Sequence, residues 1–291
     1  MAKPAANLII GCGYVGRRLA QAWLDTGIEV HATTRSPARA EEFSKLGIHP
    51  ILWDITQDTD ADFAHYKTVV FAVGFDRRAA KQTGQTIEEV YVRGLERALE
   101  KCPHAGRWIY LSSTGVYGAS DGGWVDEHSP TDPNRDGGKA CLAAEQLLLQ
   151  HPHHGNRAII LRLAGIYGPD RLPQLALLKE GKPLSVAADA YLNLVHVEDI
   201  VQIILQCEKL TTPQTLCVSD GQPALRGDFY RYLAELTGAP APIFQPPEPG
   251  SSRAERARGS KRIRNDRLVE LLQPSFIYPS YREGLKAIVE T

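Results

Sequence analysis

The stretch Asn7-Leu8-Ile9-Ile10-Gly11-Cys12-Gly13-Tyr14-Val15-Gly16 decides the fold of this chain. Residues 7–10 are typical of a buried strand, and Val15, Leu19 and Trp23 recur at i, i+4, i+8 behind the glycines, as in a helix. In such a strand–turn–helix unit, the first glycine permits the tight turn, the second lets a pyrophosphate approach, and the third lets the helix pack closely. The helix N-terminus attracts the phosphates. We therefore predict a dinucleotide site at Gly11, Gly13, Tyr14, Val15 and Gly16, the alternative being a purely structural turn.

Short β-branched apolar runs alternate with helical stretches on either side of this unit, which is typical of a parallel α/β sheet. Strands are predicted at 7–10, 29–34, 50–53, 68–73, 107–112, 158–163 and 215–218, and helices at 14–26, 87–100, 140–150 and 200–210. Residues 165–193 are predicted to be rich in loops, and five prolines within 240–249 are predicted to exclude regular structure there. We predict an α/β fold with a Rossmann-type doubly wound parallel sheet at 1–164 and 193–220. Residues 165–192 and 221–291 are predicted to form a smaller, C-terminal substrate lobe.

The end of the second predicted strand bears on which dinucleotide is bound. An acidic residue there would accept the ribose 2′-hydroxyl of NAD, but the sequence reads Thr33-Thr34-Arg35-Ser36-Pro37-Ala38-Arg39. Arg35 can cover the adenine and pair with a 2′-phosphate, helped by the Ser36 hydroxyl and by Arg39. One charge-assisted contact contributes roughly 1.5–3 kcal/mol, which favours NADP over NAD by about ten- to a hundredfold. The alternative is that both arginines are ordinary surface charges.

Other predicted strand ends add candidate cofactor contacts. Asp54 follows the third strand and is a candidate to contact the adenine. The fourth strand ends at Ala72, Val73 and Gly74, which we expect to pass close to the ribose and the pyrophosphate.

The composition excludes several classes of protein. With 33 Lys+Arg and 34 Asp+Glu, the net charge of −1 provides no long-range attraction to nucleic acid or to an anionic membrane. Five scattered cysteines show no C-x-x-C spacing and nine histidines no ligand spacing, so we expect neither disulfides nor a metal. No apolar run approaches the ~20 residues of a spanning helix. These features predict a cytoplasmic protein with no nucleic-acid or membrane partner.

Four later segments carry a resemblance to a known family. They are 109–118 (IYLSSTGVYG), 162–169 (RLAGIYGP), 193–199 (NLVHVED) and the paired stretches 260–263 (SKRI) and 278–285 (YPSYREGL). In this order, and together with the glycine turn, they resemble the motifs of extended and atypical short-chain dehydrogenases/reductases, the NAD(P)-dependent epimerase/dehydratase family. The resemblance covers nearly the whole chain.

The resemblance implies a catalytic set that this sequence matches only in part. Family members use a Tyr-x-x-x-Lys pair on the helix after the fifth strand, with a serine or threonine from that strand. Ser113 matches the last position, whereas Gly137 and Cys141 stand where the tyrosine and lysine belong. Lys139 is a candidate to reach the nicotinamide ribose from the helix start, although in a regular helix it would face away from the lysine position. Tyr117 is a candidate acid/base, or else an aromatic wall of the substrate pocket.

Two functional hypotheses follow. The first is an NADP-dependent oxidoreductase, epimerase or dehydratase-like enzyme acting on a small molecule. Ser113 would hold the reacting oxygen, and an acid/base that the sequence does not identify, with Tyr117 the leading candidate, would move the proton. The resemblance favours an anionic substrate such as a nucleotide-linked sugar, which the arginine-rich stretch 253–267 would hold unless it is only a basic surface segment. The second hypothesis is a catalytically silent NADP-binding sensor or regulator. A homodimer is suggested by analogy alone.

Overall fold

The computed structural model describes residues 6–61, 63, 65–118, 121–246 and 259–290. Its central feature is a seven-stranded sheet with the strand order β12-β7-β5-β4-β1-β2-β3. These strands are β1 Asn7–Ile10, β2 Val30–Thr34, β3 His49–Leu52, β4 Thr68–Phe71, β5 Arg107–Ser113, β7 Ala158–Leu163 and β12 Gln214–Val218. The pairs β1–β2, β1–β4, β2–β3 and β4–β5 are all parallel. The predicted doubly wound α/β fold is confirmed, and its strand order reverses between β1 and β4.

Helices connect these strands. They are α1 Tyr14–Asp25, α2 Pro37–Lys45, α3 Arg77–Thr83, α4 Gly94–Lys101, α5 Asp136–Leu149, α6 Leu175–Lys179, α7 Val197–Cys207, α8 Arg226–Thr237, α9 Asp266–Leu272 and α10 Tyr281–Glu290. In α1, the predicted stripe of Val15, Leu19 and Trp23 is buried. None of the helices in the described part of the chain is both long enough and apolar enough to cross a bilayer.

Two predicted helices differ from those observed. The helix predicted at 87–100 is a π-helical turn, Glu89–Arg93, followed by α4. The first residue of α4, Gly94, lies so close to Ile55 that a Cβ would approach its Cγ1 to 2.8 Å, so packing fixes the backbone there. Helix α5 begins at Asp136, four residues before the prediction, with an acidic side chain in its first turn where the helix dipole favours it.

The chain divides into two compact units. The first contains residues 1–115, 136–162 and 201–215, and the second contains 116–135, 163–200 and 216–291. The first unit is built on β1 to β5, with a core that includes Leu8, Phe71 and Trp108.

The second unit has short elements around its own core. Its short strands are β6 Trp124–Val125, β8 Gly165–Tyr167, β9 Leu184–Ser185, β10 Tyr191–Leu192, β11 Leu194–His196, β13 Ala224–Leu225, β14 Phe244–Gln245 and β15 Arg262–Ile263. The core includes Phe229, Leu233 and Leu285. The prediction that the proline-rich stretch 240–249 has no regular structure is wrong at β14, where two non-proline residues pair with β9. Residues 247–249 lie outside the described part of the chain.

Candidate functional site

The three glycines of the turn after β1 occupy different environments. Gly11 has a φ of +87°, and a Cβ on it would lie 2.7 Å from the Cα atom of Val73. Gly13 has no atom within 4 Å of the position of a Cβ, whereas on Gly16 a Cβ would lie 3.0 Å from Cγ2 of Ile9. The turn is therefore tight at Gly11, open at Gly13 and closely packed at Gly16, as a pyrophosphate loop requires.

The N-terminus of α1 is available to an anion. Gly13 is its N-cap and provides no side-chain hydrogen bond to the first turn. Tyr14 and Val15 begin the helix, and Val15 is buried, so it can contribute to a ligand only through its backbone N–H group. The Arg18 guanidinium lies over the Tyr14 ring at 4.2 Å from the ring centroid. First-turn N–H groups without a cap, together with the helix dipole, favour phosphate binding here.

A cavity of about 260 Å³ opens beside this turn, entirely within the first unit. It is lined by the carboxyl ends of β1 to β4, including Gly11, Gly13, Thr34, Arg35, Asp54, Ala72, Val73 and Gly74. The structure thus brings together at one cavity most of the cofactor residues predicted from the sequence. Tyr14, Val15, Gly16, Ser36 and Lys139 are not among its lining residues.

The end of β2 carries a cation and a helix cap. Arg35 is exposed and lines the cavity. Ser36 is the N-cap of α2, and its Oγ accepts a hydrogen bond from the Arg39 backbone N–H at 3.3 Å. Because only an acceptor position of this hydroxyl is used, its proton remains able to donate to a phosphate beside Arg35.

Two carboxylates line the cavity near Arg35. Asp54 Oδ1 accepts hydrogen bonds from the backbone N–H of Thr56 at 3.0 Å and from its hydroxyl at 2.8 Å. Asp76 was not predicted as a site residue, since nothing in the sequence distinguishes it from an ordinary helix cap. The backbone N–H groups of Ala79 and Arg78 lower its pKa, with a smaller contribution from the charge of Arg35.

The fifth strand presents Ser113 at its end. Its Oγ accepts a hydrogen bond from the Gly115 N–H at 3.0 Å, and the side chain is half-buried. The hydroxyl proton is therefore able to donate to a reacting oxygen. Its neighbour Ser112 instead points into the core, where its hydroxyl donates to Glu145.

The resemblance to the short-chain dehydrogenases/reductases implies a lysine at one position of helix α5. Cys141, which occupies that position, is buried, and burial raises the pKa of its thiol to about 11. The thiol lies within hydrogen-bonding reach of the buried hydroxyl of Tyr110. Because α5 is already regular from Asp136, Lys139 points away from Cys141, and it is exposed. The position of Lys139 therefore does not support its predicted contact with the nicotinamide ribose.

Tyr117 is buried in the second unit, with 2% of its surface exposed, and its hydroxyl lies 3.1 Å from Sγ of Cys217. This position fits a packed aromatic wall better than an acid/base exposed to substrate. The backbone carbonyl of Tyr117 accepts a hydrogen bond from Lys261 Nζ at 2.9 Å.

Lys261 belongs to a group of cations within the second unit. Burial lowers the pKa of its ammonium to about 8, helped by the charges of Arg135 and Arg226. The Arg226 guanidinium donates to the Gly259 carbonyl at 3.0 Å, and burial lowers its pKa as well. The arginine-rich stretch 253–267 pointed to this region, although its residues 253–258 lie outside the described part of the chain.

Comparisons with known proteins agree with this geometry. The sequence profile of the NAD-dependent epimerase/dehydratase family matches residues 8–212. The chain belongs to this family. It is 27% identical over 242 residues to Protein YeeZ of Escherichia coli K12, which covers 81% of this chain and 85% of YeeZ.

Two further proteins are similar over most of their length. The chain is 27% identical over 246 residues to a 4-hydroxy-2-methyl-3-oxo-4-farnesyl-3,4-dihydroquinoline-1-oxide ketoreductase of Stigmatella aurantiaca, covering 80% of this chain and 73% of that protein. The structure of UDP-glucuronic acid 4-epimerase from Bacillus cereus in complex with UDP-glucuronic acid and NAD superimposes with a TM-score of 0.79 at 22% identity, covering 98% of each chain. At that identity the match shows the shared Rossmann fold.

Proposed function

We propose that this family member binds NADP in the cavity beside Gly11, with the 2′-phosphate on Arg35. The observation that carries the proposal is the pairing of an uncapped helix N-terminus with a cationic strand end. Arg35 and the hydroxyl of Ser36 stand where an NAD enzyme of this type would place an acid. Asp76 faces the same cavity and would repel a second negative charge placed near it, so we place the 2′-phosphate on the Ser36 side of Arg35.

We further propose that the protein is an NADP-dependent oxidoreductase or epimerase. When bound, the cofactor supplies or accepts a hydride at C4 of its nicotinamide ring. Ser113 donates a hydrogen bond to the substrate oxygen whose carbon exchanges that hydride, since its Oγ proton is not used by the Gly115 contact. The ketoreductase of Stigmatella aurantiaca supports a reaction at a carbonyl group.

The substrate that fits best is small and anionic. Lys261 and Arg226 are partly buried cations in the second unit, where burial disfavours their charged forms and lowers the pKa of both. An anionic group bound there would recover part of that cost, and the UDP-glucuronic acid in the Bacillus cereus structure is a substrate of this kind. We therefore assign substrate binding to the predicted lobe of 165–192 and 221–291.

A catalytically silent NADP-binding protein is the second candidate. It is favoured by α5, where Gly137 and the buried thiol of Cys141 leave no proton donor or ammonium at the positions that the family uses. Tyr117 does not replace them while its hydroxyl contacts Cys217. Such a protein would respond to the cofactor without consuming it.

Cofactor oxidation separates the two candidates. NADPH absorbance is followed with purified protein and a panel of ketones, aldehydes and nucleotide-linked keto-sugars. The enzyme hypothesis predicts turnover with at least one member and a loss of about a hundredfold or more in Ser113→Ala, with NADP⁺ binding unchanged. Turnover that is equal in Ser113→Ala would contradict the role of Ser113, and binding without turnover across the panel would favour the silent protein.

A further inference from the structure

A second polar cluster lies at the opposite end of the sheet from the cofactor cavity. Glu29 immediately precedes β2, His31 is its second residue, and His49 is the first residue of β3. His31 and His49 are direct partners in the parallel register of these two strands. All three residues are therefore held at the amino ends of the strands, whereas Arg35 and Asp54 lie at the carboxyl ends.

We propose that Glu29, His31 and His49 form a binding site for a divalent transition-metal ion of the zinc class. One ligand atom from each side chain lies within 4.8 Å of the other two. His31 Nε2 is 3.0 Å from Glu29 Oε1, and the two imidazole rings are 4.9 Å apart with planes tilted by 34°. The strand register, not a local motif, creates this arrangement.

After a small side-chain movement, the distances between the three ligand atoms suit a metal ion. Bonds of about 2.0–2.1 Å to a tetrahedral ion place ligand atoms about 3.3 Å from one another. The Glu29–His31 pair is already near that spacing, and both side chains are only about one-fifth exposed, at 22% and 21%. His49 is exposed, so its ring can rotate toward the other two ligands at little cost in packing.

Tyr66 contacts the ring nitrogen of His31 that faces away from Glu29 and so fixes the orientation of the imidazole. Its side chain is 2% exposed, and its hydroxyl lies 3.2 Å from His31 Nδ1. A tyrosine hydroxyl both donates and accepts, so it accommodates either imidazole tautomer. With Nδ1–H donating to Tyr66, the lone pair of Nε2 points toward Glu29 and is available to a metal. A buried partner on the other ring nitrogen is the usual support of a metal-ligating histidine.

The donor set determines the class of ion. Two imidazole nitrogens and one carboxylate oxygen suit Zn²⁺, Co²⁺, Ni²⁺ or Cu²⁺, whereas Mg²⁺ and Ca²⁺ prefer all-oxygen sites. Three protein ligands leave one position for water on a tetrahedral ion. An ion pair between Glu29 and His31 alone would account for their contact. It would not explain why a ring nitrogen of His49 lies within 4.8 Å of both. The metal would link β2 to β3 and stabilise the folded chain against unfolding.

The test is a calorimetric titration of the full-length, tag-free chain with ZnCl₂, and with MgCl₂ as a comparison. We expect one Zn²⁺ per chain, no Mg²⁺ binding, and a visible absorption spectrum of tetrahedral Co²⁺. His49→Ala is predicted to weaken Zn²⁺ binding by about tenfold or more. Tyr66→Phe is predicted to weaken it by about tenfold, because the hydroxyl that contacts His31 Nδ1 is lost. His49 is exposed, so its replacement leaves the fold intact.

His104→Ala is the matched control. His104 and His65 are both exposed and form a stacked imidazole pair with ring centroids 4.7 Å apart, so this variant removes a comparable pair elsewhere on the first unit. It is expected to leave Zn²⁺ affinity and the Co²⁺ spectrum unchanged. Absence of Zn²⁺ binding to the wild-type chain, or binding that is lost in His104→Ala and retained in His49→Ala, would overturn the proposal.

Discussion

Gly11 lies against the backbone of Val73, so close that a Cβ on Gly11 would stand 2.7 Å from Val73 Cα and 2.8 Å from Val73 N. The contact joins the turn after β1 to the residues that follow β4. Because strand order reverses between these two strands, this close approach shapes one wall of the cavity that we propose holds the cofactor. The glycine is therefore required by backbone packing as well as by its φ of +87°.

Gly11→Ala is predicted to destabilise the chain by about 2–4 kcal/mol, because a left-handed backbone strains alanine and the Cβ meets backbone that cannot move cheaply. Denaturant unfolding measures the loss. Gly47→Ala is the control, since Gly47 has a similar φ of +81° and open space around it. It should lose only about 1 kcal/mol. Equal losses in the two variants would show that the Val73 contact has no effect on stability.

Gly13→Ala is predicted to weaken NADP⁺ binding with little effect on the stability of the fold. No atom lies within 4 Å of its Cβ position, so the free energy of unfolding should change by less than about 1 kcal/mol. The new methyl group would occupy the open approach to the helix N-terminus, and NADP⁺ affinity should fall by about tenfold or more. Thermal unfolding and calorimetric titration of the same preparation check both parts. Unchanged affinity would mean that the pyrophosphate lies elsewhere.

The buried ion pair of Glu145 and Arg162 is predicted to be essential for stability. The two side chains are 1% and 9% exposed, and Arg162 Nη2 donates to Glu145 Oε2 at 2.7 Å. Arg162→Met leaves a buried carboxylate without a counter-charge and should cost about 3–5 kcal/mol, whereas replacing both residues by methionine should cost less. Denaturant unfolding of the single and double variants tests this.

An exposed ion pair provides the comparison. Arg93 and Glu96 form a contact of 2.9 Å with side chains 57% and 42% exposed. Arg93→Met should leave the free energy of unfolding nearly unchanged, because solvent screens the pair. Similar losses in Arg93→Met and Arg162→Met would contradict the importance of burial.

Asp220→Asn is predicted to stabilise the chain in a pH-dependent way. Burial raises the pKa of Asp220 to about 7, with a further contribution from Asp199. Since the folded state holds this proton more tightly than the unfolded state, wild-type stability falls as the pH rises from about 4 to 7. The variant lacks this carboxyl, so it should be about 1–3 kcal/mol more stable than wild type at pH 8 and nearly equal at pH 4. A difference independent of pH would show that Asp220 titrates normally.

The sequence predicted the elements that depend on short patterns of neighbouring residues. The glycine turn, the stripe of α1 and the positions of the sheet strands follow from short patterns, and all were found close to where they were expected. The start of α5 was missed because Gly137-Gly138 is a poor helix former by propensity. In the structure Gly138 is buried, and the helix is regular through both glycines. Tertiary packing therefore overrides the local preference.

Contacts between distant segments could not be predicted in this way. Glu145 lies on α5 and Arg162 on β7, and neither stands in a sequence motif that predicts a buried ion pair. His31 and His49 meet only because the register of β2 and β3 aligns them. Tyr117 occupies a family motif that indicated a substrate-facing side chain, but its hydroxyl contacts Cys217, which is 100 residues away. Its assignment as the acid/base stays a prediction.

The most direct measurement is a calorimetric titration of the wild-type chain and of Arg35→Ser with NADP⁺ and NAD⁺ in one buffer. Loss of a charge-assisted contact of roughly 1.5–3 kcal/mol corresponds to about ten- to a hundredfold in affinity. We therefore predict that wild type binds NADP⁺ at least about tenfold more tightly than NAD⁺, and that Arg35→Ser abolishes this difference by weakening NADP⁺ more than NAD⁺. Equal or tighter binding of NAD⁺ by the wild-type chain would contradict the role of Arg35, and binding of neither nucleotide would contradict the cofactor site itself.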